Sequence, residues 1–260
     1  MNNKKRCGLA VLGATGRMGG RVLRLAAEST DIVVVGGIDR EERLGDRIEG
    51  GLVIEHAEVV IPKADVVIDF TAPAAVSSVA ALCAAHGTGY VLASTGMSAS
   101  DNLTIRSLAE RCAVVQAANL STGVNVMLEL VELAAARLGV PFDVEISEIH
   151  HRHKRDAPSG TGLALGRAVK AGRPDVHDVL DRCQHTEARQ SSELGYAPMR
   201  GGDASGDHTV FFLGDGERLE ITHRSSSGDI FAAGALRAAR WLLGRTPGLY
   251  SMRDVLAGND

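Results

Sequence analysis

Short, wholly apolar runs alternate with segments of helical period through the first half of this chain, and that alternation limits the fold more than any other feature. Residues 7–13 (CGLAVLG) predict a buried strand, and residues 17–29 predict a helix with Met18, Val22, Leu25 and Ala26 at helical spacing. A second, valine-rich strand covers 31–39 (DIVVVGGID). A third covers 65–70, with a helix over Ala74–Ala85 after it. A fourth spans 89–94, followed by a helix over Asp101–Arg111 and a fifth strand over 113–117. Strands that are apolar throughout, rather than alternating, belong in a parallel sheet covered on both faces. The expected class is α/β, with a doubly wound parallel sheet.

The pattern changes after Asn119. Residues 122–138 predict a helix, and 142–150 (FDVEISEIH) alternate apolar and polar as a half-buried strand does. A loop rich in His, Lys and Arg comes next, then a helix near 160–171. Residues 173–206 are polar, punctuated by glycine and without clear period. Two alternating strands, 208–213 and 217–224, are joined by Gly214-Asp215-Gly216 as a hairpin, and a last helix over 230–243 carries the single tryptophan, Trp241. This second part reads as an α+β domain with an open mixed or antiparallel sheet. The boundary falls near residue 120, giving domains 1–120 and 121–230.

Composition excludes several roles. The formal net charge is -4, and no basic stretch is laced with aromatics, so no nucleic acid partner is expected. Residues 70–100 hold no Asp, Glu, Lys or Arg, but Pro73, Gly87, Gly89 and Gly96 break them, so no membrane span is expected. Lys4, Lys5 and Arg6 precede an apolar run of only Leu9–Leu12, too short for a secretory signal. Cys7, Cys83, Cys112 and Cys183 form no CxxC pair and read as reduced thiols of a cytoplasmic protein.

Two segments carry chemistry. Gly13-Ala14-Thr15-Gly16-Arg17-Met18-Gly19 lies between the first strand and the first helix. Glycine lets the backbone approach a pyrophosphate, and the helix N-terminus offers free N–H groups. Asp39, twenty residues after Gly19, ends the second strand and suits hydrogen bonds from an adenine ribose. Together these features suggest a Rossmann-like nucleotide domain; a purely structural tight turn is the alternative. Asp39 repels a 2′-phosphate while Arg40 attracts one, which suggests NADH with NADPH tolerated.

The other segment is Glu148-Ile149-His150-His151-Arg152-His153-Lys154-Arg155-Asp156-Ala157-Pro158-Ser159-Gly160-Thr161. Histidine moves protons near neutral pH, lysine and arginine attract an anion, and the helix start at Ser159 can bind a carboxylate. A proton-assisted step on a small acidic molecule follows. A metal on His151 and His153, or a plain solvated loop, are the alternatives; no metal is expected.

These segments closely resemble the 4-hydroxy-tetrahydrodipicolinate (dihydrodipicolinate) reductase family along nearly the whole chain. The resemblance rests on GATGRMG at 13–19, Asp69-Phe70-Thr71, Ser94-Thr95-Gly96, Ala117-Ala118-Asn119-Leu120-Ser121-Thr122-Gly123-Val124-Asn125, and the stretch from His150 to Thr161. Gly202-Asp203, Gly206-Asp207-His208 and Glu220-Ile221-Thr222-His223 extend it. It implies a first domain completed by the C-terminal segment 231–260, and a second domain for substrate binding and tetramerisation. It implies reduction of a cyclic dicarboxylic imine to tetrahydrodipicolinate with NADH or NADPH, on the diaminopimelate route to lysine, in a homotetramer. By position, His150 and Lys154 take the catalytic roles, Lys154 as the proton donor. His151, Lys154, Gly160 and Thr161 bind the substrate carboxylates. Gly13, Gly16, Arg17, Met18, Gly19, Asp39, Arg40, Phe70, Ser94, Thr95, Gly96, Ala117, Asn119 and Leu120 bind the cofactor. The chain departs from the family at Ala93-Ser94, at Gly228 and in a shortened 40–64 segment. Other two-domain dehydrogenases and a non-catalytic NAD-binding sensor are the rival readings.

Overall fold

The computed structural model describes residues 6–258, so Lys4 and Lys5 of the N-terminal basic run lie outside the described residues. The chain divides into two compact units. One takes in the chain up to Thr122 together with the segment from Asp229; the other is Gly123–Gly228.

The first unit runs β1 (Cys7–Leu12), α1 (Arg17–Ala27), β2 (Ile32–Ile38), the short α2 (Ala57–Val60), β3 (Val66–Asp69), α3 (Val76–His86), β4 (Gly89–Leu92), α4 (Ala99–Ala109) and β5 (Ala113–Gln116). Its six-stranded sheet has the order β11-β5-β4-β3-β1-β2, and every pairing is parallel; β11 is Gly248–Tyr250, from the C-terminal segment. The central strands β1, β3, β4 and β5 are buried on both faces, as their unbroken apolar runs predict, while the edge strands β2 and β11 are partly exposed at Val33 and Leu249. Leu9, Val11, Ile68, Val91 and Val115 face one core; Ala10, Leu12, Val67, Tyr90, Leu92 and Val114 face the other. The strand order reverses direction between β3 and β1. In open sheets of this kind, ligands bind beyond the carboxyl ends of the strands at such a switch point. The glycine turn after β1 and the Phe70-Thr71 turn after β3 flank it.

The second unit contributes α5 (Thr122–Leu138, starting at the junction), β6 (Asp143–His150), α6 (Gly160–Gly172), β7 (His177–Val179), β8 (Glu193–Arg200), β9 (Asp207–Gly214) and β10 (Glu217–Arg224). Its five strands follow the order β10-β9-β6-β8-β7. β10, β9 and β6 pair antiparallel, while β6, β8 and β7 pair parallel, so the sheet is mixed. Val144 and Ile146 of β6, Leu165 and Val169 of α6, and Met127 and Val131 of α5 share one core. The chain then returns to the first unit as α7 (Asp229–Leu242), β11 and α8 (Met252–Ala257). Gly234 of α7 is obligatory, because a Cβ there would sit 1.8 Å from the Leu120 carbonyl oxygen.

Three differences from the sequence expectation have physical causes. The helix expected from Ala74 starts at Val76 after a 3-10 turn over Pro73–Ala75, and ends at Gly87 in the left-handed conformation. The stretch 173–206 holds two strands rather than none. β8 includes Gly195 and Pro198, which weaken a strand signal. Gly195 is there because a side chain would collide with Glu145, and Pro198 lies past the end of β7, where that side of β8 is an edge. Finally, β11 and α8 follow the helix expected to be last; their three and six residues are too short for a periodic signal.

Candidate active site

In the first unit, the glycine turn is drawn tight by backbone contacts. Gly13 has φ +76°, the left-handed region, and a Cβ there would lie 2.9 Å from Thr71 Cγ2. A Cβ on Gly19 would lie 2.1 Å from the Gly13 carbonyl oxygen. α1 begins at Gly16 without a side-chain cap, so its first-turn N–H groups are left to another acceptor. Asp39 accepts bonds on Oδ2 from Thr15 N–H at 2.9 Å and Thr15 Oγ1 at 2.7 Å, and on Oδ1 from Arg40 N–H at 2.9 Å. Burial would raise its pKa, but the bonds from Arg40 and Thr15 outweigh burial and hold it below the usual value. The turn and the end of β2 are thus one piece: an anionic group beside a side-chain-free cradle. Pyrophosphate and ribose fit such a surface.

The other expected cofactor residues cluster at the same carboxyl edge. Asp69, fully buried at the end of β3, accepts bonds from Thr71 N–H at 2.7 Å and Thr71 Oγ1 at 2.6 Å, from Tyr90 Oη, and from Ser94 Oγ at 3.5 Å. It therefore ties the turn after β3 to the turn after β4. Phe70 is half-buried, Thr95 and Gly96 are exposed, and Gly96 has φ +79°. Ala117 N–H bonds to the Leu92 carbonyl at 3.1 Å; Asn119 Oδ1 accepts from Ser121 N–H at 2.9 Å; Leu120 is buried. Arg17 and Arg40 are exposed, and Met18 is half-buried.

In the second unit, β6 delivers His150 at its end, and the basic loop then runs to Ser159, the N-cap of α6. Ser159 Oγ accepts from Gly162 N–H at 3.0 Å, and Gly160 stands open in the first turn. Lys154 pairs with Asp156 at 2.9 Å. Backbone bonds from His151 N–H to Ala204 O and from Arg152 N–H to Gly202 O brace the loop against the segment before β9. His151 and His153 have ring centroids 6.2 Å apart, and among the described residues no cluster of three possible metal ligands includes them.

Three residues of this site received no role from the sequence: Glu148 and His208 stand only within the motifs, and Arg200 lies in none of them. Glu148 is 2% exposed, His208 4% and His150 7%. Glu148 Oε1 accepts from Ser159 N–H and from the Arg200 guanidinium, both at 2.9 Å. Its Oε2 lies 3.6 Å from His150 Nδ1 and 3.4 Å from His208 Nε2. His208 Nε2 is also 3.1 Å from Ser159 Oγ. Burial would raise the Glu148 pKa, but bonds from His208, Ser159 and Arg200 overcome it and hold the carboxyl far below its usual range. The donor types suit a metal, yet a dication would stand beside the Arg200 guanidinium that already neutralises the carboxylate. The group reads as a closed ion and hydrogen-bond cluster. The available signal was the strand alternation: Val144, Ile146, Glu148 and His150 occupy the same face of β6, so an acid and an imidazole fall at core positions.

His150 is held neutral. Burial lowers its pKa to about 4; Glu148 opposes that, while His208, Lys154 and Arg200 reinforce it.

Two family profiles cover this chain: "Dihydrodipicolinate reductase, N-terminus" matches residues 7–120, and "Dihydrodipicolinate reductase, C-terminus" matches residues 123–256. The 4-hydroxy-tetrahydrodipicolinate reductase of Rhodopseudomonas palustris strain TIE-1 is 42% identical over 266 residues, covering 97% of this chain and 98% of that protein. The enzyme of the same name from Myxococcus xanthus is 42% identical over 260 residues, covering 95% and 96%. Among solved structures, the dipicolinate-bound dihydrodipicolinate reductase of Paenisporosarcina sp. TG-14 shares the fold, with a TM-score of 0.80 and 24% identity over 95% of this chain and 97% of that one.

The state of His150 generates a pH prediction. The unfolded imidazole takes a proton near pH 6.5, whereas the folded one does so near 4. As pH falls through that window the unfolded state binds the extra proton, so stability is lost. In His150→Gln, the thermal midpoint should fall less between pH 6.5 and pH 4 than in wild type. Parallel curves from a melting series across that range would contradict the assignment.

Proposed function

The chain belongs to the dihydrodipicolinate reductase family, a nicotinamide-dependent reductase of 4-hydroxy-tetrahydrodipicolinate on the diaminopimelate route to lysine, and we propose that the basic loop of its second unit supplies the proton for that reduction. One observation carries the reading: the loop that places His150 and Lys154 ends at the capped N-terminus of α6. A cation, an imidazole and a set of helix N–H groups are thereby joined in twelve residues, His150 to Thr161.

The residues divide the work as follows. The nicotinamide dinucleotide, when bound, supplies the hydride. The glycine turn and the N-terminus of α1 hold its pyrophosphate, and Asp39 holds its adenosine ribose. Asp69 fixes the Thr71 and Ser94 turns on the nicotinamide side. The first-turn N–H groups of α6, at Gly160 and Thr161, bind one substrate carboxylate with His151 and Lys154. Substrate and product differ by a hydroxyl, so reduction is coupled to its loss as water, and that step calls for a proton. The Lys154 ammonium is the donor. His150, kept neutral by burial, hydrogen-bonds the substrate rather than protonating it. Electrostatic groups already in place lower the barrier without reorganising. The four free thiols fit a cytoplasmic setting. No helix of the described residues is long and apolar enough to cross a membrane.

Three measurements test this. Lys154→Ala should cut kcat by about 10²–10⁴-fold, and His150→Gln by less, while both bind NADH normally. His153→Ala should stay within a few-fold of wild type. A normal Lys154→Ala with a dead His153→Ala would sink the assignment.

NADH should bind at least as well as NADPH, because Asp39 keeps its charge at the end of β2. Asp39→Ala should weaken NADH binding by about 1–2 kcal/mol, the scale of a charge-assisted hydrogen bond. Unchanged affinity by titration would remove Asp39 from the site.

The outer face of the mixed sheet bares Ile149 of β6 and, opposite it on β8, Met199, which are 37% and 47% exposed. Water-exposed apolar patches of this kind mark interfaces. Light scattering at micromolar concentration should return a homotetramer, and a monomer would refute it.

A further inference from the structure

We propose that Glu148 is the positioning residue for His150: its carboxylate holds the imidazole in the tautomer protonated on Nδ1 and leaves Nε2 as a bare acceptor on the opposite side of the ring. The inference rests on the reading of His150 as a residue that touches substrate.

The geometry begins with the other oxygen. Oε1 is committed to Ser159 N–H and Arg200, both at 2.9 Å, so the carboxylate cannot rotate away. Oε2 makes no well-formed hydrogen bond, its nearest donors being His208 Nε2 at 3.4 Å and His150 Nδ1 at 3.6 Å; neither it nor His150 Nδ1 reaches solvent, and Nδ1 faces no other acceptor within hydrogen-bond reach. Buried polar atoms almost always find partners, and here the two orphans stand 3.6 Å apart. An ionised oxygen can only accept. The proton between them therefore belongs to His150 Nδ1, and a small closure on substrate binding completes the bond; such contacts are often long in ligand-free enzymes. The groups facing His150 are Glu148 on its own strand, Lys154 in the loop, Arg200 on β8 and His208 on β9. Of these, Glu148 alone is an anion.

Across the ring, Nε2 looks over Gly206. A Cβ there would fall 3.0 Å from Nε2 and 3.3 Å from Cδ2, and the glycine has φ +146°. Only glycine keeps that side of the imidazole uncovered. The substrate group that meets Nε2 is then a donor, a hydroxyl or a ring N–H. That complements the Lys154 ammonium, which gives a proton rather than taking one.

Glu148→Gln gives the test its direction. The amide oxygen must stay with Arg200 and Ser159 N–H, which are donors. The NH₂ then faces His150 and forces Nδ1 to accept, moving the ring proton to Nε2. Nitrogen-15 spectra of histidine-labelled enzyme read this directly, with His150 assigned by its loss in His150→Gln. Wild type should show a protonated Nδ1 and a bare Nε2, and Glu148→Gln should show the reverse. Its kcat should fall at least about tenfold with the KM for NADH within about twofold, the split expected of a misoriented imidazole. A wild-type His150 protonated on Nε2, or a folded Glu148→Gln with an unchanged tautomer, overturns the proposal. The wild-type spectrum decides even where the variant fails to fold. Normal turnover by His150→Gln would instead defeat the catalytic reading of His150, leaving the tautomer result to judge the Glu148 contact by itself.

Discussion

One buried carboxylate organises the second unit. Taking Glu148 out of water costs several kcal/mol, and only charge pairing and multiple hydrogen bonds offset that. They come from Arg200 on β8, His208 on β9 and Ser159 at the start of α6. The anion on β6 therefore binds three other elements, and the end of β6 is where His150 leaves the sheet. The loop from His151 to Pro158 is long and polar, yet both its ends are fixed by contacts that converge on this oxygen pair. Precision in the site comes from the strands and the cap, not from the loop itself.

The first unit solves a similar problem with Asp69. That residue is also buried at the carboxyl end of a strand, and it also gathers donors from separate segments: Thr71, Tyr90 and Ser94. Burial and the Asp69 charge push the Tyr90 phenol far above its usual pKa, so it stays a donor. Both units thus spend a buried acid to hold a turn beyond the end of a sheet. In the first, the turn borders the backbone cradle proposed for the nucleotide; in the second, it leads into the loop proposed to supply the proton. The helix starts at Gly16 and Ser159 differ: the first has no side-chain cap, while Ser159 accepts from Gly162 N–H.

Much of this was legible before any fold was seen. The apolar runs at 7–13, 31–39 and 65–70 became adjacent strands of a parallel sheet; β1 and β3, covered on both faces, leave no place for polar alternation, and β2 lies at the edge. The alternation of FDVEISEIH and the Gly214-Asp215-Gly216 punctuation marked β6 and the hairpin. The glycine turn, Asp39 and the histidine loop were plain from spacing. β7, β8, β11 and α8 were not. β8 has glycine and proline at positions excused by neighbours far away in sequence, and the others are too short to show a period.

Local patterning decided which segments would be strand or helix, where backbone had to turn tightly, and which residue types were present to move a proton. Those follow from steric limits and hydrophobic periodicity acting over a few residues. Tertiary structure decided the partners. Residues 148, 159, 200 and 208 are spread over sixty positions, and nothing local says that they share one carboxylate. Strand order brings them together, and strand order is set by long-range pairing. The same holds for the protonation of His150. Its type is written in the chain, but its neutrality comes from burial and from cationic or polar neighbours supplied by two other strands and a loop, against the pull of Glu148.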